Sequence, residues 1–443
     1  MSEAPYDVVN HDRSDVENVI QDVILSGLAT QRPMQRQREV SMSGPKHDRS
    51  IQQSSTSRSS RPSLLVRNLG EPIRLTGWNC SGVCLEAAKE GDLVKAATRL
   101  SLTSDQRNFH QVADNLTSII VDHARKAGHL VNLNQSQTVL LVIRPDNSAE
   151  LWLDTAAMEL NVMVKHSMAS GSAVFTSDIA DVTGMRFPLV EIGPNDRLVC
   201  IFRQDWLFGL FFDFNPNNQL DLEACTKQLG TLYRKIKYKH LYEIISDKKA
   251  LLQLCEAGWF PFVEILGKEF YDLAECYERG TDIPAKEENI VNKFDSERLE
   301  RMFARWMTKP HFEKRKNLLN SALAAFKDRN PIPVIKILLT EVEGIIQDAY
   351  HVDHGKRPKL ENLIRDVCKS AEKKAGEPDT LLLPSDFILY LKNCTFKSFD
   401  GRKWQGTARS RHAVGHGAAN PDTYTMIAAL QTILTLDQLA FYT

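Results

Sequence analysis

The sequence predicts a multidomain α+β protein. It should have an N-terminal α/β domain with a largely antiparallel sheet, then connecting helices, then a C-terminal all-α bundle. Three observations lead there. At 443 residues the chain is too long for one typical core. Between residues 138 and 214 apolar residues come in short runs broken by turn residues, as strands do. From about residue 312 onward they recur at helical spacing.

Composition narrows the function classes. The formal net charge is -1, with 25% charged and 42% hydrophobic residues, so any nucleic-acid contact has to be local. No run of about 18 apolar residues exists, and no membrane association is expected. The start, Met1 to Tyr6, has neither the basic nor the apolar part of a secretory signal. Eight cysteines, mostly single and in apolar surroundings (Cys200, Cys225, Cys255, Cys368), suit reduced thiols in a cytoplasmic protein. Cys80 and Cys84 form one close pair without a second pair or a nearby histidine. A structural zinc normally takes four ligands, so no metal and no cofactor are expected.

Residues 1–63 read as an arm. Val16, Val19, Ile20, Val23, Ile24 and Leu25 make one short amphipathic stripe. Residues 31–63 are rich in Ser, Gln and Arg and hold too little apolar surface to offset chain entropy. This stretch is a solvated tether or an arm touching RNA phosphates.

Residues 64–220 form the α/β domain. Ser101 to Leu130 reads as a helix, with Val112, Leu116, Ile119, Ile120 and His123 at helical spacing. Thr138 to Arg144 and Glu150 to Leu153 read as strands around the turn Pro145-Asp146-Asn147-Ser148. Arg197 to Arg203 and Trp206 to Phe214 read as a second hairpin. The domain contains no phosphate loop, dinucleotide fingerprint or nucleophile elbow. Sensing of a ligand or a protein partner is the expectation that remains.

Residues 221–297 read as a helical connector, with Leu229, Leu232, Tyr233 and Ile236 on one stripe. Arg234, Lys235, Lys237 and Lys239 interleave with Tyr233, Tyr238 and Tyr242. Cations hold phosphates and rings stack bases, so this is a candidate RNA-binding face; a solvated lysine face of an amphipathic helix has the same pattern. The aromatics of Gly258-Trp259-Phe260-Pro261-Phe262 read as packing anchors, and the charged segment 280–297 as a domain boundary.

Residues 298–443 read as all-α. Leu318, Leu319, Ala322, Leu323 and Phe326 share one face. The helix from Pro331 has a stripe wide enough for burial on more than one side. Leu360 to Lys374 and Asp386 to Lys392 are shorter helices. The last helix should start at Pro421 with Asn420 as N-cap, packing through Met426, Ile427, Leu430, Ile433, Leu434 and Leu439.

Just before that helix, Arg411-His412-Ala413-Val414-Gly415-His416-Gly417 gathers an arginine, two histidines and two glycines. Histidine exchanges protons near neutrality, and a guanidinium clamps phosphate oxygens and stabilises charge building on them. Together they suffice for metal-free RNA cleavage, in which the 2′-OH attacks the adjacent phosphate. On a regular helix Arg411 and His416 would point roughly 140° apart, so a turned backbone at Gly415 and Gly417 is expected to bring them together. The alternative is that both pair with carboxylates or carbonyls and simply position the helix that follows.

This motif, ahead of a terminal amphipathic helix, resembles the signature of the HEPN superfamily: an arginine, a polar residue, then a histidine four to six positions after the arginine. Arg411, His412 and His416 fit it. The segments Ser321 to Phe326 and Leu338 to Ile345 resemble the family's upstream helix pair, so the likeness covers roughly residues 311–443. It implies a compact helical bundle that commonly forms homodimers and brings two motifs into one cleft. Many members are metal-independent endoribonucleases of toxin, phage-defence or RNA-processing systems, and others are non-catalytic binding modules. By resemblance His416 is the catalytic histidine, Arg411 holds the scissile phosphate and His412 is a supporting polar residue. The long polar stretch 350–410 departs from the pattern and reads as a lid, a substrate strap or an insertion. An RNA-cleaving enzyme regulated by its N-terminal domain is one expectation. A non-catalytic dimerisation module joined to a ligand- or protein-sensing domain is the other.

Overall fold

Alternation along one short run organises the first half of the molecule. In Thr138–Ile143, the side chains of Val139, Leu141 and Ile143 enter one buried cluster while Leu140 and Val142 enter another. A strand sends successive side chains to opposite faces, so an unbroken apolar run marks a strand covered on both sides. The computed structural model describes residues 67–354, 358–399 and 405–443. The predicted arm, including its amphipathic stripe and arginines, lies outside the described residues.

The strands in chain order are β1 (Ile73–Leu75), β2 (Val83–Cys84), β3 (Ala96–Ala97), β4 (Arg99–Thr103), β5 (Thr138–Ile143), β6 (Ala149–Leu153), β7 (Glu159–Val164), β8 (Ile179–Arg186), β9 (Arg197–Gln204) and β10 (Leu207–Asp213). Six of them form an antiparallel sheet in the order β1-β6-β5-β9-β10-β4, while β2-β3 and β7-β8 are separate ribbons. Both predicted hairpins are present, with β5 registered on β6 and β9 on β10. Ser101 to Thr103, expected as the start of the helix, instead belong to the edge strand β4, paired with β10. Its Leu100 and Leu102 alternate onto the sheet core.

The helices are α1 (Phe109–Lys126), α2 (Leu222–Lys237), α3 (Lys239–Ser246), α4 (Lys248–Glu256), α5 (Lys268–Arg279), α6 (Ile283–Asn292), α7 (Ser296–Trp306), α8 (Pro310–Glu313), α9 (Lys316–Lys327), α10 (Pro331–His354), α11 (Leu360–Ala375), α12 (Pro384–Asn393), α13 (Arg411–Gly415) and α14 (Met426–Tyr442). The chain is therefore a mixed α+β protein with a largely antiparallel sheet. No helix among the described residues is long and apolar enough to cross a membrane.

Helix α1 covers one face of the sheet through Phe109, Val112, Leu116 and Ile120. Helix α2 covers the other through Cys225, Leu229, Leu232 and Ile236, so its residues belong to the sheet layers although they were expected in the connector. Close approach fixes this packing. A Cβ on Gly230 would lie 2.5 Å from the Cα and 2.6 Å from the N of Gly184 in β8. Only backbone meets it there, and backbone cannot rotate aside. Gly230→Ala is accordingly expected to cost about 1–3 kcal/mol, read as a lower urea midpoint; an unchanged midpoint would show that the contact yields freely.

The second half is helical and has its own core. Its axis is α14, in which every residue from Ala428 to Tyr442 is buried. The expectation of an amphipathic last helix is corrected in two ways. It starts at Met426 behind the N-cap Thr425, while Asn420 caps a separate turn, Pro421–Thr423. It is also enclosed all round, touching α6, α7, α9, α10 and α11. The segment 280–297, read as a boundary, supplies α6, whose Ile290 and Val291 are part of this core.

A helix buried on every side must satisfy its polar side chains internally. Gln431 accepts from Arg409 Nε at 2.7 Å and donates to the Ala257 carbonyl at 3.0 Å. Gln438 accepts from the Val263 N–H at 2.9 Å and donates to the Leu382 carbonyl at 3.2 Å. Asp437 accepts from Trp306 Nε1 at 2.7 Å and from Arg305 Nη2 at 2.7 and 2.8 Å. The anchors Trp259, Phe260 and Phe262 are buried against the same helix-lined core.

The described residues form one compact unit. The β7–β8 ribbon spans its two cores, placing Ala180 in the helical one and Met185 in the sheet one. Buried charges tie both ends. Arg305 of α7 donates to the Lys165 carbonyl, just past β7, and pairs with Glu264 at 2.6 Å. Arg234 of α2 donates to the Val182 carbonyl in β8.

Candidate functional site

The motif helix α13 is short and well tied. Ser410 caps it, accepting from the Ala413 N–H at 3.2 Å while its own hydroxyl donates to the Lys397 carbonyl at 2.6 Å. The Arg411 N–H donates to the Thr395 carbonyl at 2.8 Å. Ala413 is fully buried, and a Cβ on Gly406 would come within 2.3 Å of its Cβ, so Gly406 lets the 405–410 turn lie directly on the helix.

At the other end Gly417 has φ 69°, its N–H donates to the Val414 carbonyl, and the Ala418 N–H donates to the Ala413 carbonyl. That pair of bonds around a left-handed residue is a Schellman closure, and glycine adopts the conformation without strain. One of the two motif glycines therefore has a folding reason. Gly415 stays in the helix, with open space around its Cβ position.

This geometry revises the expected convergence. The Val414 N–H donates to the Ser410 carbonyl and the His416 N–H to the His412 carbonyl, so helical bonding continues up to His416. Arg411 and His416 keep the roughly 140° separation of a regular turn. Arg411 faces α10, where its Nη2 lies 2.6 Å from Glu343 Oε2, and the side chain is 35% exposed. His416 is exposed, its ring centroid 5.8 Å from that of Phe399. The motif residues that share a side of this turn are His412 and His416. Four positions apart, they lie on one face of the turn, the first half-exposed and the second open to solvent.

The predicted RNA-binding stretch is not a continuous face. Arg234 is fully buried, which corrects its assignment as an RNA contact. It pairs with Glu377 at 2.6 Å, lies 3.9 Å from Asp181 and 3.7 Å from Asp379, and donates to the carbonyls of Val182 and Asp379. Lys235 meets Asp379 at 3.3 Å, Lys237 meets Asp205 at 3.3 Å, and Lys239 lies 3.6 Å from both Asp105 and Glu243. Each cation has a carboxylate on a different element, so their charge is largely neutralised in place.

Comparison with protein-family models, with curated proteins and with solved structures found no match.

Some relevant residues were not visible to sequence reasoning. Glu343 lies on α10 beside the apolar stripe, and nothing local marks it as the partner of an arginine 68 positions later. Phe399 lies in the polar stretch that reads as an insertion, yet it touches His416.

Proposed function

We propose that the chain is a metal-independent endoribonuclease of HEPN type, with α13 as its catalytic element. The observation that supports this best is the spacing of His412 and His416, four positions apart on the accessible side of a capped turn, with the half-exposed Arg411 guanidinium on another side of it. Two imidazoles can divide the work of transesterification. One takes the proton of the attacking 2′-OH and the other protonates the departing 5′-oxygen, leaving a 2′,3′-cyclic phosphate and a 5′-hydroxyl. Arg411 neutralises the charge that builds on the phosphorus oxygens. Half-exposed ion pairs of the Arg411–Glu343 kind contribute under about 1 kcal/mol, so a phosphate can replace the carboxylate at small cost.

The divergence of Arg411 and His416 within one chain fits a homodimer in which two copies of α13 face each other. The guanidinium of one copy then serves the imidazoles of its mate. Regulation by the sheet-bearing half, and a role in stress response or phage defence in the cytoplasm, belong to this reading.

The test is cleavage of RNA by the purified protein in EDTA, with cyclic phosphate ends as product. His416→Ala is expected to lower the rate by at least about a hundredfold while the far-UV spectrum and melting stay as in the parent. Metal-dependent cutting, or an alanine variant as active as the parent, would refute the proposal. A second reading, a non-catalytic dimerisation or binding module, is favoured by one observation: the Arg411–Glu343 pair gives the arginine a structural partner. Under it Arg411→Ala changes oligomeric state or stability, and RNA stays intact.

A further inference from the structure

Beside α13 lies a cavity of about 290 Å³, formed by the end of α12, residues 393–399 and residues 405–410. It shares walls with the motif helix. Ser410, the cap of α13, lines it and bonds to Lys397, and Phe399 lines it while its ring contacts that of His416. Among the described residues two cations border it, Lys397 and Arg409, against one carboxylate, Glu256. Arg409 uses Nε on Gln431, and neither cation forms an ion pair with a described residue. That sets them apart from Lys235, Lys237, Lys239 and Arg411, each held by a carboxylate. Ser398 and Thr407 add hydroxyls to the lining.

The volume is close to the lower end of ligand sites, about 300 Å³, which suits one nucleotide unit and excludes a large ligand. Cations and hydroxyls recognise phosphate, and an aromatic ring offers a stacking surface to any base. We propose that this cavity seats the nucleotide next to the scissile phosphate. Its phosphate lies between Lys397 and Arg409, and its base lies against Phe399, which delivers the neighbouring linkage to His416. The proposal rests on the ribonuclease reading and adds the place where the RNA strand is held.

The experiment measures binding of the full chain to a labelled, mixed-sequence 2′-O-methyl RNA of about ten nucleotides, which cannot be cleaved, while unmodified RNA reports cutting separately. Lys397 is exposed, so its replacement should leave folding intact. Lys397→Glu is expected to weaken binding at least about tenfold, and Lys397→Ala to reduce the slope of log affinity against log salt by about 0.7. Lys268→Glu, the same charge change outside the cavity, should stay within about twofold. Parent-like binding by both Lys397 variants, with cleavage still dependent on His416, overturns the subsite and leaves the nuclease reading standing. A parent that neither binds nor cuts RNA overturns both.

Discussion

Replacing Arg234 by leucine is expected to lower the unfolding free energy by about 3–5 kcal/mol, the loss typical of removing one partner from a buried charge group. The guanidinium is fully buried, with Asp181 also at zero exposure and Glu377 and Asp379 around it. It also donates to the Val182 and Asp379 carbonyls. Leucine would fill part of the space and leave the carboxylates facing one another in a poorly solvated pocket. Lysine would not rescue it, because a single ammonium cannot reproduce the fork that reaches two elements at once. Chemical denaturation followed by far-UV circular dichroism gives the number. The double variant with Asp181→Asn should lose less than the sum of the two singles, since it removes one of the stranded charges. A strictly additive double variant would mean that Asp181 and Arg234 do not sense each other across 3.9 Å.

A second large effect concerns acid. His311 in α8 is buried, its Nε2 lies 2.6 Å from Thr443 Oγ1, and its pKa is lowered to about 4 by burial and then by the nearby charges of Lys309 and Lys374. In the unfolded chain a histidine titrates near 6.5, so between about 6.5 and 4 the unfolded state holds more protons than the folded one. The stabilising contribution is complete above 6.5 and is lost as pH falls toward 4. At about 1.4 kcal/mol per unit, the loss comes to roughly 2–4 kcal/mol. Comparing unfolding of the parent and His311→Gln from pH 7 to 4 isolates this group from the carboxylates that titrate alongside. The variant's curve should be flatter, and parallel curves would show that His311 is not responsible.

How far the fold could be read beforehand depended on whether the partner was local. Strands β5 and β6 were legible because Val139 to Ile143 alternate between two apolar faces and the turn at Asn147, with φ 65°, follows at once. The β7–β8 ribbon was missed. In β8 the pattern is Asp181, Val182, Thr183, Gly184, and its burial comes from a helix 46 residues away through a glycine contact. The last helix was read as amphipathic because Gln431, Thr432, Thr435, Asp437 and Gln438 look like a wet face. Thr432 bonds back to the Ala428 carbonyl, while the others turn out to bind Arg409, Tyr390, Arg305, Trp306 and backbone at 257, 263 and 382, all outside the helix.

The same rule governs the site. The three motif residues stand within six positions of chain and were visible, whereas the Ser410 cap came only with the structure. Arg234 looked like a surface cation because Asp181, Glu377 and Asp379 are distant. The fate of Gly415 was also hidden. Glycine permits a turn there, but nothing in the open space around it demands one.

The β7–β8 ribbon carries a consequence for anyone dividing this gene. Residues 298–443 look like a portable cassette, a helical module to be cut out or grafted elsewhere. Yet Arg305 reaches for the Lys165 carbonyl, and Thr380 and the Leu381 N–H both bind Asp181. Glu377, too, has its guanidinium on α2. A transplanted 298–443 would arrive with those sockets empty. The smallest piece that can be moved intact must begin upstream of β7.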